Sequence, residues 1–178
     1  MVRFGLVYEQ LLTERIVAEP TVHQPKSANR AMLTLIHDES YVDAIFNGTI
    51  EPAAMRRIGL PWSEALVRRT RRAVGGTLLT ARLALERGLA CNTAGGTHHS
   101  HPGFGSGFCI FNDLAVTAGA LLREGTVRRI LVVDLDVHQG DGTAAAFREN
   151  DRDVAAPANR HCILHREAPA CAVGRIPA

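Results

Sequence analysis

The segment Asp134-Leu135-Asp136-Val137-His138-Gln139-Gly140-Asp141-Gly142, directly after the apolar run Ile130-Leu131-Val132-Val133, constrains this chain more than any other. An apolar run of that length reads as a buried strand, and the Gly-rich continuation as a tight turn. Side chains alternate along an extended backbone, so Asp134, Asp136 and His138 are expected on one side. Two carboxylates and an imidazole converging at the end of a buried strand form a hard-to-borderline metal site. Burying three polar groups unpaired is costly, so the pattern reads as a site and not as scaffold.

A second segment, Gly95-Gly96-Thr97-His98-His99-Ser100-His101-Pro102-Gly103-Phe104-Gly105-Ser106-Gly107-Phe108-Cys109, places adjacent histidines in a Gly-rich loop. Alone, the pair fits packing as well as function. Beside the Asp-rich turn the balance shifts to function. A histidine next to a metal-bound water can act as general base, and a carboxylate behind it fixes its tautomer and raises its basicity. Asp134 and Asp141 are spare carboxylates of that kind. His101 has no evident partner in the sequence and reads as a surface residue. The Gly103 to Gly107 run lacks the Lys-Ser/Thr of a phosphate loop and the Rossmann spacing, which argues against nucleotide binding. Its glycines would let backbone approach a ligand, with Phe108 walling a narrow apolar channel. Ordinary core packing accounts equally well for Phe104 and Phe108.

Composition narrows the setting. With 178 residues and 46% hydrophobic content the chain can form one sizeable core. A net charge of +2 gives no electrostatic footprint for nucleic acid or membrane. Lys26 is the only lysine, as in a GC-rich coding bias, and Arg68-Arg69-Thr70-Arg71-Arg72 reads as a solvated helix face. Cys91, Cys109, Cys162 and Cys171 form no Cys-x-x-Cys pair. With no signal-peptide core and no bilayer-length apolar run, a reducing, cytoplasmic setting is the expectation.

Periodicity predicts helices over Phe4 to Val17, Tyr41 to Phe46 (stopped by Asn47-Gly48), Ser63 to Arg87, Asn112 to Arg123 and Thr143 to about Asn150. Gly75-Gly76 would break or kink the long helix, or permit close packing. A short strand is expected at Leu89 to Thr93. Helices alternating with short buried strands predict an α/β domain with a mostly parallel sheet. Residues 1–150 read as one partial domain. Residues 151–178 form an aperiodic tail rich in Ala, Arg and Pro, expected to be disordered or translated out of frame.

Together, Gly-Gly-Thr-His-His with Ser-Gly-Phe-Cys, then Asp-Leu-Asp-Val-His-Gln-Gly-Asp-Gly, resemble the zinc-dependent histone deacetylase family, which includes bacterial acetoin-utilisation and acetylpolyamine deacetylases. The resemblance runs from about Met1 to Asn150. It implies an arginase/deacetylase-like three-layer α/β fold with a mostly parallel sheet, incomplete in this chain, and zinc at the carboxyl ends of the strands. It also implies roles. Asp136 and His138 would be zinc ligands. His99 would be the general base and His98 largely electrostatic, backed by Asp141 and Asp134 respectively. Gly107 and Phe108 would line the acyl-lysine channel, and Asp134 would also help hold a structural potassium ion. The substrate class would be acetyl-lysine or a small acetylated amine. The family's third ligand, an aspartate, and its catalytic tyrosine have no counterpart here: Tyr8 and Tyr41 stand too early, and Asp151 and Asp153 are too close to His138. The chain is therefore expected to be weakly active or inactive and to fold poorly alone. Two rival readings remain: a dimanganese ureohydrolase on the same architecture, and a non-enzymatic remnant.

Overall fold

A computed structural model describes residues 3–148 and 154–155. The elements run α1 (Arg3–Thr13), a 3₁₀ turn (Glu19–Thr21), α2 (Arg30–Leu33), α3 (Glu39–Asn47), α4 (Pro52–Ile58), α5 (Glu64–Arg87), α6 (Asp113–Arg123), β1 (Ile130–Leu131), α7 (Asp141–Ala146) and β2 (Val154–Ala155). The strands pair in parallel, Ile130 with Val154 and Leu131 with Ala155.

The long helix α5 forms the spine. Ser63 caps it, its Oγ accepting the Leu66 N–H at 3.1 Å, and the chain leaves it at Gly88 with φ +89°. Gly75 and Gly76 do not break it: α5 is one continuous helix, and both glycines are buried in it. A Cβ on Gly75 would collide with the Lys26 carbonyl oxygen, so the glycine lets the 25–28 segment cross against helix backbone. Helix α6 packs along α5, capped by the Asn112 carboxamide oxygen accepting the Ala115 N–H at 3.0 Å. Two apolar clusters result. One joins Leu33, Val42, Ile45, Ile58, Val74 and Phe111; the other joins Leu78, Ala118, Leu121, Ile130, Val132 and Phe147.

Several sequence expectations need correction. Leu89 to Thr93 forms no strand; Asn92 instead folds back on itself, its side chain accepting the Ala94 N–H at 3.1 Å. Helix α1 ends at Thr13, four residues before Val17, and Arg15 takes a positive φ of 57°. Helix α4 is an added element, started by Pro52 in the first turn and stopped by Gly59 at φ +80°. Helix α7 begins at Asp141 and not at Thr143. The tail at 151–178 lies outside the described residues except for the backbone of Val154 and Ala155.

Candidate active site

The tandem-histidine loop is set by the start of α6. Asp113 is fully buried, and its carboxylate accepts the N–H groups of Gly96 (3.0 Å) and Thr97 (2.7 Å) and the hydroxyl of Thr77 (2.5 Å). Asn112, also fully buried, donates from Nδ2 to the Ser100 carbonyl (3.1 Å) and to the Thr143 hydroxyl (3.0 Å). One N-cap pair thus fixes the loop before His98, the loop after His99 and helix α7.

The Asp-rich turn then packs directly on that loop. The Thr143 N–H donates to the His98 carbonyl at 3.1 Å. A Cβ on Gly142 would collide with the carbonyl oxygens of Ser100 and His98, and one on Gly140 would lie 2.6 Å from Asp134 Oδ2. Gly142 thus allows two backbones to meet at the site, and Gly140 leaves room for the Asp134 carboxylate.

The contact aligns two histidine–carboxylate pairs. His98 Nδ1 lies 2.6 Å from Asp134 Oδ2, and His99 Nδ1 lies 2.8 Å from Asp141 Oδ1. The carboxylates hold the proton on each Nδ1, which leaves each Nε2 as the lone-pair nitrogen. The rings of His98 and His99 are 4.2 Å apart, and that of His138 is 5.9 Å from His99. The Asp136 N–H donates to Asp134 Oδ1 at 2.9 Å, stacking the turn on itself. His98, His99, His138, Asp134 and Asp141 therefore lie close together.

Asp136 and His138 sit differently from a strand face. The hydrogen-bonded strand ends at Leu131, so strict alternation is lost before the turn. The side chains of Asp136 and His138 are 51% and 71% accessible and face each other, His138 Nδ1 at 2.9 Å from Asp136 Oδ1. The His138 backbone N–H, and next its ring, hold the Asp136 carboxyl below its usual range. A carboxylate and an imidazole suit zinc, but a catalytic zinc takes three protein ligands. Among the described residues no group of three or more His, Cys, Asp or Glu is placed to hold a metal ion. The two donors do not complete a zinc site by themselves.

Gly107 abuts the His99 ring: with φ +50°, its position would put a Cβ 2.8 Å from His99 Cδ2. Phe108 is not core. It is 66% exposed, takes φ +66° and is pinned by its N–H donating to the Ile58 carbonyl at 2.7 Å. A cavity of about 560 Å³ lies against Phe108 and Thr97, and Arg68, Arg69 and Arg72 form part of its wall.

Some of the site's residues carry no signal in sequence. His101 has a partner after all, its Nε2 lying 3.2 Å from Asp141 Oδ2. Burial works against charge on Asp141, but the hydrogen bonds from His99 and His101 outweigh it and hold the carboxyl below its usual value. His37 is buried beneath the loop, with Nδ1 donating to the carbonyls of His101 (3.0 Å) and Pro102 (3.2 Å) and Nε2 accepting the Asn112 N–H (2.9 Å). Burial lowers its pKa to about 4, so it is neutral. Asn112-Asp113 could have been found as an N-cap pair placed after the apolar Cys109-Ile110-Phe111; His37 could not, because its partners lie 64 to 75 residues away.

Known proteins resemble this chain over most of its length. The family model of the histone deacetylase domain matches residues 1–157. An uncharacterized protein of Picosynechococcus sp. is 56% identical over 150 residues, covering 84% of this chain and 50% of that protein. The acetoin utilization protein AcuC of Staphylococcus aureus is 37% identical over 155 residues, covering 82% of this chain and 40% of AcuC. The crystal structure of an HDAC homolog complexed with SAHA superposes with a TM-score of 0.66 at 30% identity, over 79% of this chain and 40% of that one. The chain thus spans about half or less of the length of these proteins, and its fold is the deacetylase α/β fold in part.

Proposed function

Because this chain belongs to the histone deacetylase family, we propose that it carries the proton-handling half of a metal-dependent hydrolase that removes acetyl groups from acetyl-lysine or small acetylated amines. The observation that supports this most is the pair of histidines, each with Nδ1 on its own carboxylate at 2.6 and 2.8 Å. His99 is the general base: its side chain is 23% accessible, against 8% for His98, so its ring is the more open to water. Asp141 behind it stabilises the imidazolium formed when Nε2 takes a proton. His98, more enclosed, contributes charge with Asp134. Gly107 leaves room for the His99 ring, and Phe108 offers an apolar wall to an acyl-lysine stem. Asp136 and His138 are proposed as two zinc ligands, and Asp134 as a contributor to a secondary potassium site.

The two donors among the described residues fall short of a full zinc set, so slow turnover is expected of the chain itself. The test is acetate release from an acetyl-lysine peptide and from an acetylated diamine, with zinc supplied. Any release is expected to vanish with a chelator and in His99→Ala. Release that survives both would overturn the reading. The two-donor observation also favours a second reading, a non-enzymatic remnant of the family, and complete absence of release would favour it.

A further inference from the structure

The two carboxylates behind the histidines are held by unequal means. Asp134 is 19% accessible, and its Oδ1 accepts a backbone N–H from Asp136. Asp141 is 48% accessible and stands in the first turn of the short helix α7. A half-exposed carboxylate turns about its side-chain bonds unless both oxygens are engaged. One oxygen of Asp141 accepts from His99 Nδ1 at 2.8 Å; the other faces His101 Nε2 at 3.2 Å.

His101 is itself rigidly placed. Its ring stacks on Phe104, with centroids 4.4 Å apart and planes 14° from parallel, and the Arg57 guanidinium sits 4.8 Å from the same Phe104 ring. The His101 N–H donates to the Phe104 carbonyl at 2.9 Å, and the His101 carbonyl accepts from buried His37. A side chain fixed by stacking, by its own backbone and from beneath loses little freedom when it donates a hydrogen bond.

We propose that His101 is a positioning residue for His99: by donating Nε2–H to Oδ2 of Asp141, it fixes the carboxylate plane that holds Oδ1 on His99 Nδ1. The inference deepens the reading of His99 as the proton-accepting group, and it makes the loop a His101–Asp141–His99 relay of orientation rather than a lone dyad.

The test needs no turnover. In the unmodified chain the His99 Nδ1–H proton, assigned by its loss in Asp141→Ala, is expected as a hydrogen-bonded imidazole resonance protected from solvent exchange. His101→Phe keeps the stack on Phe104 and removes the donor, and exchange of that proton is expected to quicken about ten-fold. His101→Gln restores a donor and is expected to recover most of the protection. Should His101→Phe fail to melt cooperatively, His101→Asn, too short to reach Asp141, takes its place. Unchanged protection in the donor-less variant would overturn the proposal. So would equal loss in His101→Gln, since stacking and not donation would then be the cause. Neither result depends on whether acetate is released, so failure of this inference is distinct from failure of the proposed activity.

Discussion

Asp113 shows how one residue can shape a site it does not enter. Its buried carboxylate gathers the Gly96 and Thr97 N–H groups, and removing it strands those donors away from water. Asp113→Ala is expected to cost about 3 kcal/mol or more, read as a lower urea midpoint. Gly107→Ala is the sharper local probe, because it places a methyl against the His99 ring and forces a non-Gly residue to φ +50°. It is expected to lose about 1–2 kcal/mol and to shift the His99 ring resonances, while distant signals stay in place. His37 adds a pH signature. Its folded pKa of about 4 lies below the unfolded value of 6.5, so the unfolded chain binds the proton first as pH falls. Stability is therefore intact above about 6.5 and lost on the way down to about 4, with some 2 kcal/mol gone between pH 7 and pH 5 (about 1.4 kcal/mol per unit). Chemical denaturation across that range checks it; a flat profile would mean that His37 is charged or exposed.

At the scale of elements, α5 was legible in full, because Ser63, Gly88 and a regular apolar stripe mark both ends and the buried face. The same signals marked α3 and α6 to within a residue or two. Leu89 to Thr93 misled, because an apolar start to a short segment does not reveal whether a neighbouring strand is there to pair with it. The reach of His101 was hidden for a related reason: its partner is 40 residues away, and no period connects them. The glycines of α5 separate propensity from packing. Ala generally favours a helix over Gly by about 1 kcal/mol. Gly5→Ala in α1, where a Cβ meets nothing within 4 Å, is expected to gain up to about that much. Gly75→Ala is expected to lose stability despite the better helix former, because its Cβ collides with the Lys26 carbonyl. Thermal melts of the two variants should move in opposite directions.

For the whole molecule, the chain spans part of the family's fold. Leu135 and Val137, between the aspartates and His138, are 88% and 72% exposed, where a buried strand end would cover them. Such apolar side chains beside an open strand end favour self-association, so Leu135→Lys is expected to raise solubility without moving His98 or His99. Among the described residues no helix is long and apolar enough to cross a membrane. The tandem histidines and the Asp-rich turn were legible because their chemistry is concentrated in two short segments; of the buried residues that hold them, Asn112 and Asp113 carry an N-cap signal and His37 carries none. Whether those two segments form a metal-dependent hydrolytic site is checked by zinc titration of the chain by calorimetry. One site is expected, weak because the described residues supply two ligands, lost in Asp136→Ala and in His138→Ala, and retained in Cys91→Ser, which removes an exposed thiol able to compete for zinc. Binding that persists in the Asp136→Ala/His138→Ala double variant, or that disappears with Cys91, would contradict it.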